Sequence, residues 1–186
     1  VGATYYNRLT TDGILQLETP PSTGFTERYA NAAEISNKGI ELDFNYKLIS
    51  NTDLSVNLFG NFTAYKNIVE SLPDVSRVLL NGFTSTGSVV KEGESFAAIF
   101  GGAYERNANG SIATDSSGFP LIDDEQKVIG DPNPDYRAGL GANIDYKNFN
   151  LSFLFETSQG NDMWGGTQGV LYYFGIHPDT ANESVA

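Results

Sequence analysis

The sequence predicts an all-β protein whose long antiparallel hairpins form part of a transmembrane β-barrel, about five strands with long extracellular loops. Three observations predict it. Two stretches alternate apolar and polar residues over spans of about ten residues, where soluble strands average nearer five or six. The connections between such stretches are by turns long and short. No apolar run approaches the ~20 residues of a membrane helix, so any crossing is made by strands.

The clearest alternation opens the first hairpin. Ile40, Leu42, Phe44, Tyr46 and Leu48 point one way, and Glu41, Asp43, Asn45 and Lys47 the other. Asn51-Thr52-Asp53 supplies a turn. Leu54, Val56, Leu58, Gly60, Phe62 and Ala64 then resume against Ser55, Asn57, Asn61 and Thr63. In the second hairpin Tyr136, Ala138, Leu140, Ala142, Ile144 and Tyr146 oppose Arg137, Gly139, Gly141, Asn143 and Asp145. Lys147-Asn148 makes its turn, and Phe149, Leu151, Phe153 and Phe155 continue the apolar face.

With a weaker strand at the start, whose alternation breaks around Arg8–Thr11, the expected strands lie near 3–17, 38–49, 53–68, 135–146 and 149–158. The expected long loops are 18–36, which carries Pro20-Pro21, then 69–134 and 159–186. Asn109-Gly110 and Ser117-Gly118 predict small hairpins inside the second of these.

An apolar face of this kind meets either lipid or another sheet. Strand length and the alternation of connections favour lipid. Ile40, Leu42, Phe44, Tyr46, Leu140, Ile144 and Phe153 are then lipid-facing, and Tyr46, Tyr146 and Phe149 form an interfacial girdle beside the short turns. The alternative is a soluble secreted β-sandwich that binds carbohydrate or mediates adhesion, with the same residues as its core.

Composition narrows the function. Eleven basic against 23 acidic residues give a net charge of −12, which argues against nucleic acid, a partner that needs clustered Lys and Arg. Cysteine is absent, so there is neither a disulfide framework nor a thiolate metal site. The chain starts at Val1 without a signal peptide and has its single Met at position 163, and it reads as a piece of a longer precursor.

Candidate sites are sparse. Asp123, Asp124 and Glu125 with Asp131 and Asp135 offer oxygen ligands for Ca²⁺, at a spacing that matches no EF-hand; solvated loop acids are the plainer reading. Trp164, Tyr172, Tyr173 and Phe174 suit stacking on a substrate ring, or a rim at headgroup level. His177, the single histidine, precedes Pro178 in a ragged region and is a poor catalytic base. Glu41, Asp43 and Asp145, interspersed with asparagines, are explained by a hydrated lumen wall. The Gly-Gly pairs at 101–102 and 165–166 lack the lysine of a phosphate loop. Nothing here asks for an enzyme or a cofactor.

Four segments in order, EISNKGIELDFNY (34–46), VKEGESFAAIFGGAYERNANG (90–110), IGDPNPDYRAGL (129–140) with YKNFNLSFLFE (146–156), and QGNDMWGGTQGVLYYFG (159–175), resemble one family. They are similar to the C-terminal barrel of SusC/RagA-like TonB-dependent transporters of Bacteroidetes outer membranes. The resemblance covers nearly the whole chain. It implies a plug inside a 22-stranded barrel, of which about five strands are matched and the plug is not. It further implies import of a glycan fragment or peptide across the outer membrane, driven through the TonB complex. A SusD-like surface lipoprotein would be the lid.

Overall fold

In the computed structural model of the chain, residues 1–83 and 86–181 are described. Five long strands make the main sheet: β1 (Gly2–Glu18), β2 (Glu27–Ser50), β3 (Leu54–Ser71), β8 (Tyr136–Tyr146) and β9 (Phe149–Gln159). They lie in that order, every neighbour antiparallel. Between β3 and β8 the chain leaves to build a second, four-stranded sheet from β4 (Val78–Phe83), β5 (Thr86–Val90), β6 (Ala98–Gly101) and β7 (Lys127–Gly130). A single α-helix, α1 (Gly166–Tyr173), follows β9.

The register explains the two faces. Ile40 pairs with Tyr5 on one side and Ala64 on the other, Phe62 with Ala138, Leu140 with Phe155, and Ile144 with Leu151. Because side chains alternate strictly along a strand, this pairing carries one apolar face across all five strands. That face is open. Leu140 is 55% exposed and Phe155 71%, and among the described residues no sheet lies over it. A sandwich would have buried these same residues in a facing layer. The opposite face is a ladder of polar residues: Asn150 Nδ2 donates to Asp145 Oδ1 (2.5 Å) and Ser152 Oγ to Asn143 Oδ1 (2.6 Å).

Both short turns fall at one end. Asn51 Oδ1 accepts from the backbone N–H of Asp53 and Leu54 (3.1 and 2.7 Å), and the Lys147 N–H joins the two turns through the Asp53 carbonyl (2.9 Å). The long connections, the second sheet and α1 gather at the other end.

There the structure departs from the expected loops. The connection between β1 and β2 is short, and β2 runs from Glu27 through the stretch assigned to loop 18–36. Its alternation is hidden by bulges. Thr11 and Asp12 together oppose the single Glu34, one extra residue in β1, with Asp12 at φ 56°, and Ala32 is an extra residue in β2 where the pairing shifts again between Gly13 and Ile14. Each extra residue reverses which parity faces inward, so a period-two reading fails across it. Loop 69–134 is likewise a folded insertion, and 159–186 contains α1.

The small core sits at this end. Ile35 and Val69 stand on the same face as Asp43 and Asn61, but here that face turns apolar. Leu17, Ala32, Ala33, Val69, Leu72, Val78 and Val90 bury one another, with Val69 and Val90 fully enclosed. The inserted sheet therefore packs on the polar-faced side of the long strands, above its polar stretch. Inside the insertion, Tyr104, Arg106 and Thr114 bridge Ile122, Ile112 and Pro120 in a small ribbon. Its turns are at Gly110 and Gly118, both at positive φ.

Gly141 marks how closely the main sheet is packed. A Cβ there would lie 2.5 Å from the Phe59 ring and 2.6 Å from the Phe153 carbonyl oxygen. The ring covers the glycine across the strand pair. Gly141→Ala is expected to cost about 1–3 kcal/mol by overpacking, read as a lowered midpoint in denaturant unfolding.

Candidate functional site

The chemistry of the chain is concentrated at the end away from the short turns, and a polar lock holds it. Gly93, at φ 82°, lets 90–96 double back onto β3: Val69 N–H donates to the Glu94 carbonyl and Gly93 N–H to the Val69 carbonyl, each at 2.9 Å. Phe96 N–H then donates to Asn67 Oδ1 (2.8 Å), and Ser95 Oγ donates to Asp131 Oδ2 (2.5 Å). The other oxygen of Asp131 accepts from the N–H and Nδ2 of Asn133, both at 2.9 Å. Asn133 Nδ2 also reaches the Phe96 carbonyl (3.1 Å). Asp131 and Asp162 complete the circuit, backbone N–H to side-chain oxygen (2.9 Å) and backbone to backbone (2.7 Å). Four separate segments are thus tied together: the end of β3, 90–96, 129–134 and 161–162.

Sequence reasoning missed this lock. A signal for it was present, since Asp131-Pro132-Asn133-Pro134 sets a side-chain acceptor between two rigid residues, a turn pattern with its own mechanism.

Concavities open at this end of the molecule. A groove of about 700 Å³ runs between the top of β1 (Gln16, Leu17, Glu18) and the inserted sheet (Arg77, Val78, Phe100). The Arg77 guanidinium lies over the Phe100 ring at 4.7 Å. A second pocket, about 420 Å³, is bounded by Gly87, Ile99, Pro132, Met163 and Trp164. A third, about 400 Å³ and mostly apolar, is formed by Trp164, Val170, Tyr173 and Phe174 around α1.

The expected rim residues therefore separate. Trp164 and Tyr173 share one pocket, with Tyr173 84% exposed. Tyr172 turns elsewhere: its ring stacks on His177 (4.1 Å between centroids) and its hydroxyl donates to Asp179 Oδ2 (2.6 Å). That hydrogen bond holds the Tyr172 phenol above its ordinary pKa, because ionising it would place two negative charges together. His177 Nδ1 accepts from the Asp179 N–H at 3.2 Å, so the histidine is part of a local turn.

The acidic candidates do not converge either. Asp123 forms an ion pair with Lys127, whose ammonium holds the carboxyl below its usual pKa together with the Glu125 N–H. Asp131 belongs to the lock. Among the described residues no three His, Asp or Glu side chains assemble as a metal site.

No family model matches the chain. Three curated relatives do, the TonB-dependent receptors P3, P26 and P39 of Formosa agariphila. They are 26% identical over 183 residues, 29% over 190 and 26% over 212, each covering 86% of this chain. This chain is similar to a segment of these TonB-dependent receptors. It spans about a fifth of those relatives, 18%, 18% and 20% of their lengths. Solved structures agree in fold. That of the RagAB peptide transporter superposes with a TM-score of 0.64 at 19% identity, over 85% of this chain and 19% of its own. The RagAB peptide importer in its closed-closed state gives 0.64 at 18% identity, over 86% and 19%. Parts of three of the segments that carry the resemblance, VKEGES, IGDPNPD and QGND, meet in the lock, together with Asn67 of β3.

Removing the shared carboxylate tests the lock. Asp131→Ala strands the Asn133 N–H and leaves the Ser95 hydroxyl and Asn133 Nδ2 only their longer bonds to the Asn67 and Phe96 carbonyls, an expected loss of about 1–3 kcal/mol. Limited proteolysis should cut within 90–134 much faster, while cleavage in the long strands stays unchanged.

Proposed function

We propose that the chain is a wall segment of an outer-membrane, TonB-dependent nutrient importer, its plug lying in a part of the protein outside this chain. The observation that carries this reading is the open apolar face that one register extends over five antiparallel strands, opposite a polar face. In water such a face and the two free sheet edges would aggregate; in a closed barrel lipid meets the face and neighbouring strands meet the edges. The dimensions suit a bilayer. The 11 residues of β8 run about 33 Å at ~3.3 Å per residue, which projects to roughly 25 Å at a barrel strand's tilt. Aromatic residues bound this band, Tyr5 and Tyr136 above, Tyr46, Tyr146 and Phe149 beside the short turns.

On this reading Ile40, Leu42, Phe44, Tyr46, Leu140, Ile144 and Phe153 face lipid, and Glu41, Asp43 and Asp145 line the hydrated lumen. The short turns are periplasmic, and the inserted sheet with α1 is extracellular. Trp164 and Tyr173 then stand on the side where substrate and a SusD-like lid lipoprotein arrive. The structurally similar RagAB protein is a peptide transporter, so peptides are the first substrates to test, with glycan fragments second.

Charge insertion reads the lipid face. Leu140→Arg is expected to lower folding stability in vesicles by about 2–4 kcal/mol, and Phe149→Arg, near the turn, by roughly 0–1 kcal/mol. Equal penalties at the two depths would argue against a membrane face. Uptake tests the function: cells lacking the gene should lose accumulation of labelled oligopeptides or oligosaccharides, and a protonophore should abolish it in wild type. Accumulation that survives both treatments would rule out energised import through this protein.

A further inference from the structure

On the apolar face, the position after Ile40 towards the long-loop end is Lys38, and its partner directly across on β3 is Lys66. Asn7 of β1 completes the row, one step beyond Tyr5, Ile40 and Ala64. Two ammonium-bearing side chains directly opposite on an antiparallel pair hold their Cβ atoms about 5 Å apart, and like charges so placed repel. Both are exposed, and among the described residues neither has an ion pair or a side-chain hydrogen bond. Arg8, Lys47 and Arg137, by contrast, stand on the polar face. In a chain of net charge −12, carboxylates are plentiful, yet none is set across from this pair.

A shallow cleft of about 280 Å³ opens between the two lysines, floored by Ile40 and Ala64 with Tyr5 at its side. Asp135 lines its edge, its carboxylate packed against Gly160. One negative charge faces two positive ones, so the cleft keeps a cationic surplus.

We propose that Lys38 and Lys66 together bind the phosphate of an anionic lipid headgroup, whose acyl chains lie over Ile40, Leu42 and Phe62. The proposal rests on the reading that this face meets lipid, and names what it meets at its outer boundary. The lysines stand one row beyond Tyr5, Ile40 and Ala64, where the face turns mixed, with Ser36 between Leu9 and Ile68 in the row above; at such a boundary lysine side chains reach the headgroup level. A bridging phosphate relieves the repulsion between the two ammoniums. The apolar floor continues downward without a break, so the ligand that matches the whole surface carries chains below its phosphate. A free phosphate would meet only the open end of the cleft.

The test uses the intact protein in a non-ionic detergent, with native mass spectrometry to count retained lipids. Phosphatidylglycerol and phosphatidylcholine of identical chains are the probes, with inorganic phosphate as competitor. Wild type should prefer phosphatidylglycerol. Lys66→Gln should weaken that binding about fivefold and the double variant Lys38→Gln/Lys66→Gln roughly 25-fold. Lys147→Gln, at the opposite end, should leave it intact, and inorganic phosphate at equal concentration should not displace the lipid. Undiminished binding to the double variant, an equal loss in Lys147→Gln, or displacement by inorganic phosphate overturns the proposal. The membrane reading fails separately, on a protein that is folded and monodisperse without detergent.

Discussion

The rest of the structure depends on one constraint, the hydrogen-bond register that β1, β2, β3, β8 and β9 keep between the bulges at their two ends. Side chains alternate with period two, so a slip of one residue in any of the four pairings would send Leu42 or Leu140 to the polar face and Asp43 or Gly139 to the apolar one. Where the pairing is regular, Ile40, Phe62, Leu140 and Phe155 form one continuous surface. The bulge between Lys47 and Ile49 shifts it only at the short-turn end of β2. The aromatic covers add to this discipline: Phe59 lies over Gly141, so their strands pack most closely in this alignment.

Where the register does break, it breaks for the second sheet. The bulges near Thr10–Ile14 and Glu34 sit at the level where the face below, polar through Asp43 and Asn61, becomes apolar at Ile35 and Val69. Extra residues bend and twist strands, and the inserted sheet packs where they do so. Its core of Leu17, Val69, Val78 and Val90 is small, and the polar lock supplements it. The lock uses a carboxylate with every oxygen engaged, an arrangement that fixes direction as well as energy. The concavities at this end inherit their shape from segments that no local sequence preference would bring together.

The two faces ask for different surroundings, and the charges follow. Carboxylates and asparagines occupy the polar face, where water solvates them. Cations occur on the apolar face of the main sheet at a single level, Lys38 and Lys66, one row beyond Ile40 and Ala64. The acidic surplus collects in the insertion and around the ribbon, exposed and locally paired, as Asp123 is with Lys127.

The five long strands, their two short turns and the two-faced character of the sheet were legible in the sequence because each follows from alternation and turn chemistry within a few residues. The turns at Gly110 and Gly118 were legible for the same reason. The upper half of β2 was not, because bulges invert the parity of a pattern that is regular in space. Nor was the lock: Asn67, Ser95, Asp131 and Asp162 are far apart in the chain. The separation of Tyr172 from Trp164 and Tyr173 also depended on how α1 ends. Sequence alone determined which residues share a face, since that is a local, periodic property. The tertiary structure decided that the apolar face runs uncovered across five strands, which segments close over the long-loop end and which lysines stand opposite one another, because those depend on strand order and register between distant residues.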